Sequence, residues 1–320
     1  MQPFFILMIH FIANFTGGRG KAERNWNRIE RYLKESGIPY LLQKTSYKGH
    51  ASNISRELSQ LDEKQVNIVV IGGDGTINEA VNGITDFSKV TFSAIPSGSG
   101  NDFARGVKLS KHFPLKNLKH IIKKIESNSA KKLDVGKLSF IHDGKQIEKR
   151  FLISSGFGMD ALVCVNVDKS KLKTVMNRLH LGKLTYLFQT LVSLFYLTKL
   201  NLKVIFDETE ERTFTRTAFF TSMNMKKQGG GIRFAPDALY DDGKISVCVA
   251  HSLSKLQCFF VLPFIVFGLH KFLKKFYFRN FHTAKVISDT PYILHTDGEV
   301  FMNVKEFTVS VIDEKLNAFI

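Results

Sequence analysis

The sequence predicts a parallel α/β domain over residues 1–133 followed by a β-rich domain over residues 134–320. Three observations carry that expectation. Short apolar runs alternate with helically spaced stretches through the first part of the chain, the rhythm of β/α units. Beyond Asp134 the runs shorten and partly alternate, as in antiparallel sheets. Three of the early runs also open into polar, glycine-bearing loops, where an open parallel sheet places its ligands.

Taken in order, PFFILMIHFIAN reads as a buried first strand. It is too short to cross a bilayer and lacks the basic start and small-residue cleavage pattern of a signal peptide. After the loop FTGGRG, Trp26, Ile29 and Leu33 recur at helical spacing and Gly37 closes that helix. PYLLQKT is strand-like, and Ile54, Leu58 and Leu61 mark the next helical face. QVNIVVI runs into IGGDGTINEAVNG, and VTFSAI into PSGSGNDFARG. Leu115, Leu118, Ile121, Ile122 and Ile125 stripe a helix whose other faces carry lysines.

In the second half KLDVGKLSF, KRFLISSG, LNLKVIF, TRTAFFTSMN, GKISVCVA and KEFTVSVI read as strands, interrupted by a long helical region over Lys171 to Thr198. LQCFFVLPFIVFGL, Leu256 to Leu269, is too short for a spanning helix and contains Pro263, so a soluble or peripheral protein is expected.

Bulk composition narrows the partners. Hydrophobic and charged fractions of 44% and 23% are those of a globular chain, whereas a net charge of +16 favours nucleic acid, phosphorylated substrates or an acidic membrane surface. A lysine-rich surface without a partner accounts for the charge equally well. Three sparse cysteines, Cys164, Cys248 and Cys258, argue against a disulfide framework or zinc site and for a reducing, cytoplasmic compartment.

The loops NFTGG (Asn14 to Gly18), GGDGTIN (Gly72 to Asn78) and GSGND (Gly98 to Asp102) offer bare main-chain N–H groups to phosphate oxygens. Asp74 and Asp102 would repel phosphates unless a cation intervened, which points to Mg²⁺. Tight-turn chemistry explains any one loop alone. There is no GxxxxGK[ST] P-loop, no protein-kinase motif set and no HExxH. GFGMDA, Gly156 to Ala161, spells a dinucleotide fingerprint in the wrong half, without the acidic residue that should follow.

GGDGTINEAVNG followed by PSGSGNDFAR, LDVGK, SSGFGMDA, NMKKQGGGIRFAPDALYDDGKISV and HTDGE resembles the diacylglycerol kinase and sphingosine kinase catalytic-domain family in its bacterial soluble form. The resemblance spans nearly the whole chain, in order. It implies an NAD kinase/phosphofructokinase-like α/β domain that binds ATP, a β-sandwich domain and an active site in the cleft between them. The implied nucleotide contacts are Asn14, Phe15, Thr16, Gly17 and Gly18, then Thr45, then Gly72, Gly73, Asp74, Gly75, Thr76, Ile77 and Asn78, then Ser99 and Asp102. Phe15 stands where proline is common in the family, and Gly18 where serine is common.

The same resemblance makes Glu299 the base that takes the proton of the acceptor hydroxyl, supported by Asp297, with Asp74 helping to place Mg²⁺. Taken alone, Asp297-Gly298 reads as a hairpin turn. A structural Mg²⁺ is implied at Asp242 with the carbonyls of Leu239 and Lys244, joined to the active site through Asp134 and Asp102. The implied acceptor is a lipid alcohol, diacylglycerol first. Peripheral contact with an anionic membrane is expected through His270 to Lys285 or the lysines of residues 116 to 124. No fold motif supports nucleic acid, and a homodimer is compatible with the sequence. The alternatives are an NAD kinase or sugar-phosphate kinase of the same fold group, and a non-catalytic lipid- or nucleotide-binding regulator.

Overall fold

The computed structural model describes residues 8–16, 20–110, 112–169, 192–193, 196 and 198–320. These fall into two units, one of residues 1–133 with 314–320 and one of residues 134–313. The helical region expected over Lys171 to Thr198 lies almost wholly outside the described residues.

In the first unit the chain runs β1 (Ile9–Ala13), α1 (Lys21–Glu35), β2 (Tyr40–Lys44), α2 (His50–Ser59), β3 (Val66–Gly72), α3 (Asp74–Gly83), β4 (Val90–Pro96), α4 (Asp102–Gly106), α5 (Pro114–Glu126) and β5 (Lys131–Leu133). β1 lies parallel between β2 and β3, and β4 is parallel to β3. Every residue of β1, β3 and β4 is buried, which is why these runs are mostly apolar, with His10, Asn67, Thr91 and Ser93 as buried polar exceptions. Trp26, Ile29 and Leu33 of α1 and Leu118, Ile121, Ile122 and Ile125 of α5 pack with Phe11 and Ile71 in one core. The chain passes from β1 outward to β2 and then crosses back to β3, so the direction of winding reverses between β1 and β3. That reversal opens the crevice in which sheets of this type bind ligands.

The second unit contains β6 (Gly136–His142), β7 (Lys145–Phe151), β8 (Ser154–Gly158), α6 (Met159–Lys169), β9 (Leu200–Phe206), β10 (Glu210–Thr217), β11 (Phe219–Met223), β12 (Ile245–Ala250), α7 (Lys255–Phe267), a 3₁₀ turn (Leu269–Phe272), β13 (Phe276–Phe281), β14 (Thr283–Thr296) and β15 (Glu299–Val311). All the strand pairs here are antiparallel, in the order β13-β12-β11-β8-β14-β15-β6-β7, with β9 pairing β14 and β10. β14 holds the sandwich together. Its first half pairs β9 and its last residues pair β8, and register shifts against β15 after Ile287 and Tyr292 let it pass between layers. Inward side chains from both layers, among them Phe157, Phe206, Phe220 and Phe307, form one core. Much of the His270 to Lys285 segment is strand, with Phe276 and Phe281 buried.

β16 (Leu316–Ala318) differs from the sequence reading, which kept residues 134–320 together. It returns to the first sheet, parallel to β4 and antiparallel to β5. Phe319 enters the first core, and Ser93 Oγ donates to its carbonyl at 2.6 Å. Nothing local in LNAFI distinguishes this partner from a sandwich strand.

Where α2 and α3 cross, a Cβ on Gly83 would lie 2.0 Å from the Ser52 carbonyl oxygen. Because the obstacle is main chain, Gly83→Ala is expected to destabilise the protein by about 1–3 kcal/mol, read as a lower denaturant midpoint.

Candidate active site

In the first unit the loops at the carboxyl ends of β1, β2, β3 and β4 meet along one sheet edge. Asn14 N–H donates to Ile71 O at 3.0 Å and Thr45 N–H to Ala13 O at 2.9 Å. Asn14 Nδ2 donates to Thr76 Oγ1 at 3.1 Å, and its Oδ1 accepts from Thr16 N–H and Oγ1 at 3.1 and 2.8 Å. Asn14 thereby braces its own turn against α3. Phe15 packs partly buried on the core with Lys44 Nζ 5.2 Å from its ring centre, while Gly17 and Gly18 lie outside the described residues.

The two glycine loops touch main chain to main chain. Ser97 N–H donates to Gly72 O at 2.7 Å. A Cβ on Gly98 would fall 2.5 Å from Gly73 Cα, so neither loop tolerates a side chain there. Asn101, in the left-handed region at φ 54°, closes the second loop by accepting from Gly98 N–H at 3.0 Å and donating to Gly98 O at 2.7 Å. Gly75 and Ser99 stay exposed at the loop tips, whereas Ile77 is buried and serves the core, and Asn78 is buried with Asn82 donating to its Oδ1.

Asp74, at the start of α3, accepts from the N–H groups of Asp102 and Phe103 at 3.0 and 3.1 Å, tying α3 to α4. Burial pushes its carboxyl above the ordinary carboxylate range, against the pull of those N–H groups and of Arg105. Asp102 forms an ion pair with Arg105, whose Nη2 also donates to Gly100 O at 3.0 Å. Sequence reasoning missed Arg105, although its i,i+3 spacing from Asp102 was a readable signal.

In the second unit, Asp297 (φ 44°) and Gly298 (φ 91°) form a two-residue turn with both central residues left-handed, joining β14 to β15. The Asp297 carboxylate accepts from Leu152, Ile153 and Ser154 N–H at 2.9, 3.0 and 2.8 Å, and its own N–H donates to Ser154 O at 2.8 Å. Glu299, the first residue of β15, therefore stands on an anchored turn. Its carboxylate is about one-third exposed, with Lys149 Nζ 3.0 Å from Oε2 and 3.2 Å from Oε1. Lys149 also lies 5.9 Å from the Phe301 ring centre. Nothing in KQIEKRF marked Lys149 as a partner 150 residues away.

The turn of Leu239, Asp242 and Lys244 is exposed, and Lys244 N–H donates to Asp242 Oδ1 at 3.1 Å. Buried Asp134 braces it by accepting from Gly243 N–H at 2.7 Å and donating its N–H to Tyr240 O at 2.7 Å. Asn224 Nδ2 donates to both Asp134 O and Leu152 O, and its Oδ1 is a buried acceptor without a hydrogen-bond donor. Among the described residues no group of three or more His, Cys, Asp or Glu forms a ready cage. One carboxylate with main-chain oxygens nevertheless fits a hard cation that keeps much of its water, as Mg²⁺ does.

Residues 8–138 match the family model described as diacylglycerol kinase catalytic domain, and residues 153–318 that described as YegS C-terminal NAD kinase beta sandwich-like domain. Bacillus subtilis YtlR, a protein named provisionally as a lipid kinase, is 28% identical over 291 residues, 91% of this chain and 92% of its own. A diacylglycerol kinase of Staphylococcus carnosus is 25% identical over 92% of each chain. The crystal structure of a diacylglycerol kinase from Bacillus anthracis shares the fold, with a TM-score of 0.68 at 16% identity over 98% of this chain and 96% of that one.

The two hairpin carboxylates separate by experiment. Asp297→Ala strands three main-chain donors and is expected to lower stability by about 2–4 kcal/mol. Glu299→Gln, which loses one part-exposed ion pair, should stay within about 1 kcal/mol. Urea unfolding of both variants checks the split.

Proposed function

Because this chain belongs to the lipid kinase family that joins a diacylglycerol kinase catalytic domain to a YegS-type β-sandwich domain, we propose that it transfers the γ-phosphate of ATP to a lipid hydroxyl, with diacylglycerol the first acceptor and phosphatidic acid the product. The observation that best supports this reading is the main-chain contact of the two glycine loops at Gly73 and Gly98. It leaves the N-terminal N–H groups of α3 at a sheet edge with no side chain from either glycine in the way, the geometry phosphate oxygens require.

In the proposed reaction Asn14, Thr16, Thr45, Gly72 to Thr76 and Ser99 surround the nucleotide, with Ile77 and Asn78 fixing α3 from within. Glu299 accepts the proton of the acceptor hydroxyl, whose oxygen attacks the γ-phosphorus as the bond to the bridging oxygen breaks and ADP leaves. Lys149 holds the Glu299 carboxylate in one orientation, and Asp297 holds the turn beneath it. Asp74 and Asp102 would hold Mg²⁺ beside the phosphates and Asp242 a second ion, supplying the positive charge that transfer between anionic oxygens demands. The acceptor is a membrane lipid reached from the cytoplasmic face. No helix among the described residues is long and apolar enough to cross a membrane.

Transfer of labelled phosphate from Mg-ATP into mixed micelles tests the reading, with diacylglycerol, monoacylglycerol, sphingosine, ceramide, phosphatidylglycerol and a polyprenol offered in turn. Native protein should label one of them, chelation should abolish labelling, and Glu299→Gln should lower kcat by about 10²–10⁴-fold. NADP or a sugar bisphosphate as product would replace the acceptor assignment, and binding without turnover would favour the regulator.

A further inference from the structure

Helix α7 is apolar on both faces. Cys258, Leu262 and Ile265 turn inward and are buried, while Leu256, Phe259, Phe260, Phe264 and Phe267 share the opposite face and are 43% to 67% exposed. Leu269 and Phe272 of the following 3₁₀ turn extend that face, Phe272 at 74% exposure. A helix apolar all round belongs in a core or against lipid, and this one lies at the surface.

The helix is also held firmly. A capping box between Ser254 and Gln257 closes its start, and Gly268 at φ 76° closes its end. At 13 residues it is about 20 Å long, too short to span a bilayer but suited to lying in one leaflet's headgroup region.

Charge identifies what covers it. Residues 243–288 contain seven Lys or Arg and no Asp or Glu. Arg279 and Lys285 pair with Asp207, Glu210 and Glu306. Others border the aromatic face. Lys255 begins α7, and Lys275 Nζ donates to Gln257 Oε1 and Ser252 O, both at 2.9 Å. At the far end Arg233 packs near Gly268, and Lys271 Nζ sits 5.4 Å from the Phe272 ring centre while pairing with Asp237 at 3.0 Å, so the rim there is cationic only in balance. A cationic rim around phenylalanines complements anionic headgroups over acyl chains. A second copy of a chain with net charge +16 would bring an identical cationic rim against the first.

We infer that the outer face of α7, with Leu269 and Phe272, lies in the headgroup region of an anionic bilayer and docks the protein on the membrane holding its acceptor. Only the identity of that acceptor rests on the lipid kinase reading. The surface differs from the two stretches expected from sequence, since it precedes His270 to Lys285 except at its edge and is distinct from α5.

The test uses the full chain, flotation with vesicles of phosphatidylcholine alone or mixed with phosphatidylglycerol, and the double variant Phe260→Gln with Phe267→Gln. Both side chains are exposed, so the fold should persist. Native protein should float only with the anionic vesicles, less so as salt rises. The variant should partition about tenfold less or weaker still, yet phosphorylate a short-chain diacylglycerol dissolved as monomer at the native rate. Equal flotation of variant and native protein, or no flotation of either, overturns the assignment. So does a native dimer that the variant dissociates, which would make a second copy the occupant. Native protein that floats as described but phosphorylates no acceptor leaves the docking surface standing and removes the kinase reading.

Discussion

A carboxylate accepting from consecutive main-chain N–H groups is the interaction on which both halves of this molecule depend. Asp74 does this for α4, Asp297 for residues 152–154, and Asp207 for His282 and Thr283. Each joins two segments far apart in sequence through groups that the main chain must satisfy anyway. The balance differs from site to site. At Asp207 burial opposes ionisation, but Thr283, His282 and Arg279 together hold the carboxyl below its ordinary range. At Asp74 burial prevails and the carboxyl is pushed up. The carboxylate strained in this way is the one beside the glycine loops, where a cation would relieve it.

In the second unit these ties form a continuous chain. The turn at Asp242 is braced by Asp134, Asp134 O accepts from Asn224, and Asn224 reaches Leu152 O. Residues 152–154 in turn donate to Asp297, one residue of turn away from Glu299. The exposed acidic turn and the proposed base thus share one hydrogen-bonded scaffold. A rigid scaffold is what a base needs if it is to meet a hydroxyl at hydrogen-bond distance.

Much of this was legible in the sequence. The mostly apolar runs of β1, β3 and β4, alternating with helical patterns, announced a parallel sheet because strands covered on both faces show little polar side. The glycines of GGDGT and GSGND announced a close approach, and the structure shows that part of it is to each other. D-G at 297–298 was read both as a hairpin turn and as a catalytic element. It is a turn whose aspartate accepts from three main-chain N–H groups, and the proposed base, Glu299, follows it. Apolar content in Leu256 to Leu269 was also legible, but only as a segment too short to span. That one half of it faces outward required knowing which half packs on the sandwich.

The sequence by itself therefore determined the element types and the loops at the strand ends, because those depend on spacing and on main-chain freedom within a few residues, whereas the residues of the proposed chemistry follow from the family resemblance. Only the tertiary structure decided that β16 returns to the first sheet, that Lys149 meets Glu299, that Asp297 is an anchor, and that α7 turns phenylalanines to the surface. These are pairings across scores of residues or choices between equally apolar faces. Local pattern is silent on both, since packing alone selects the partner.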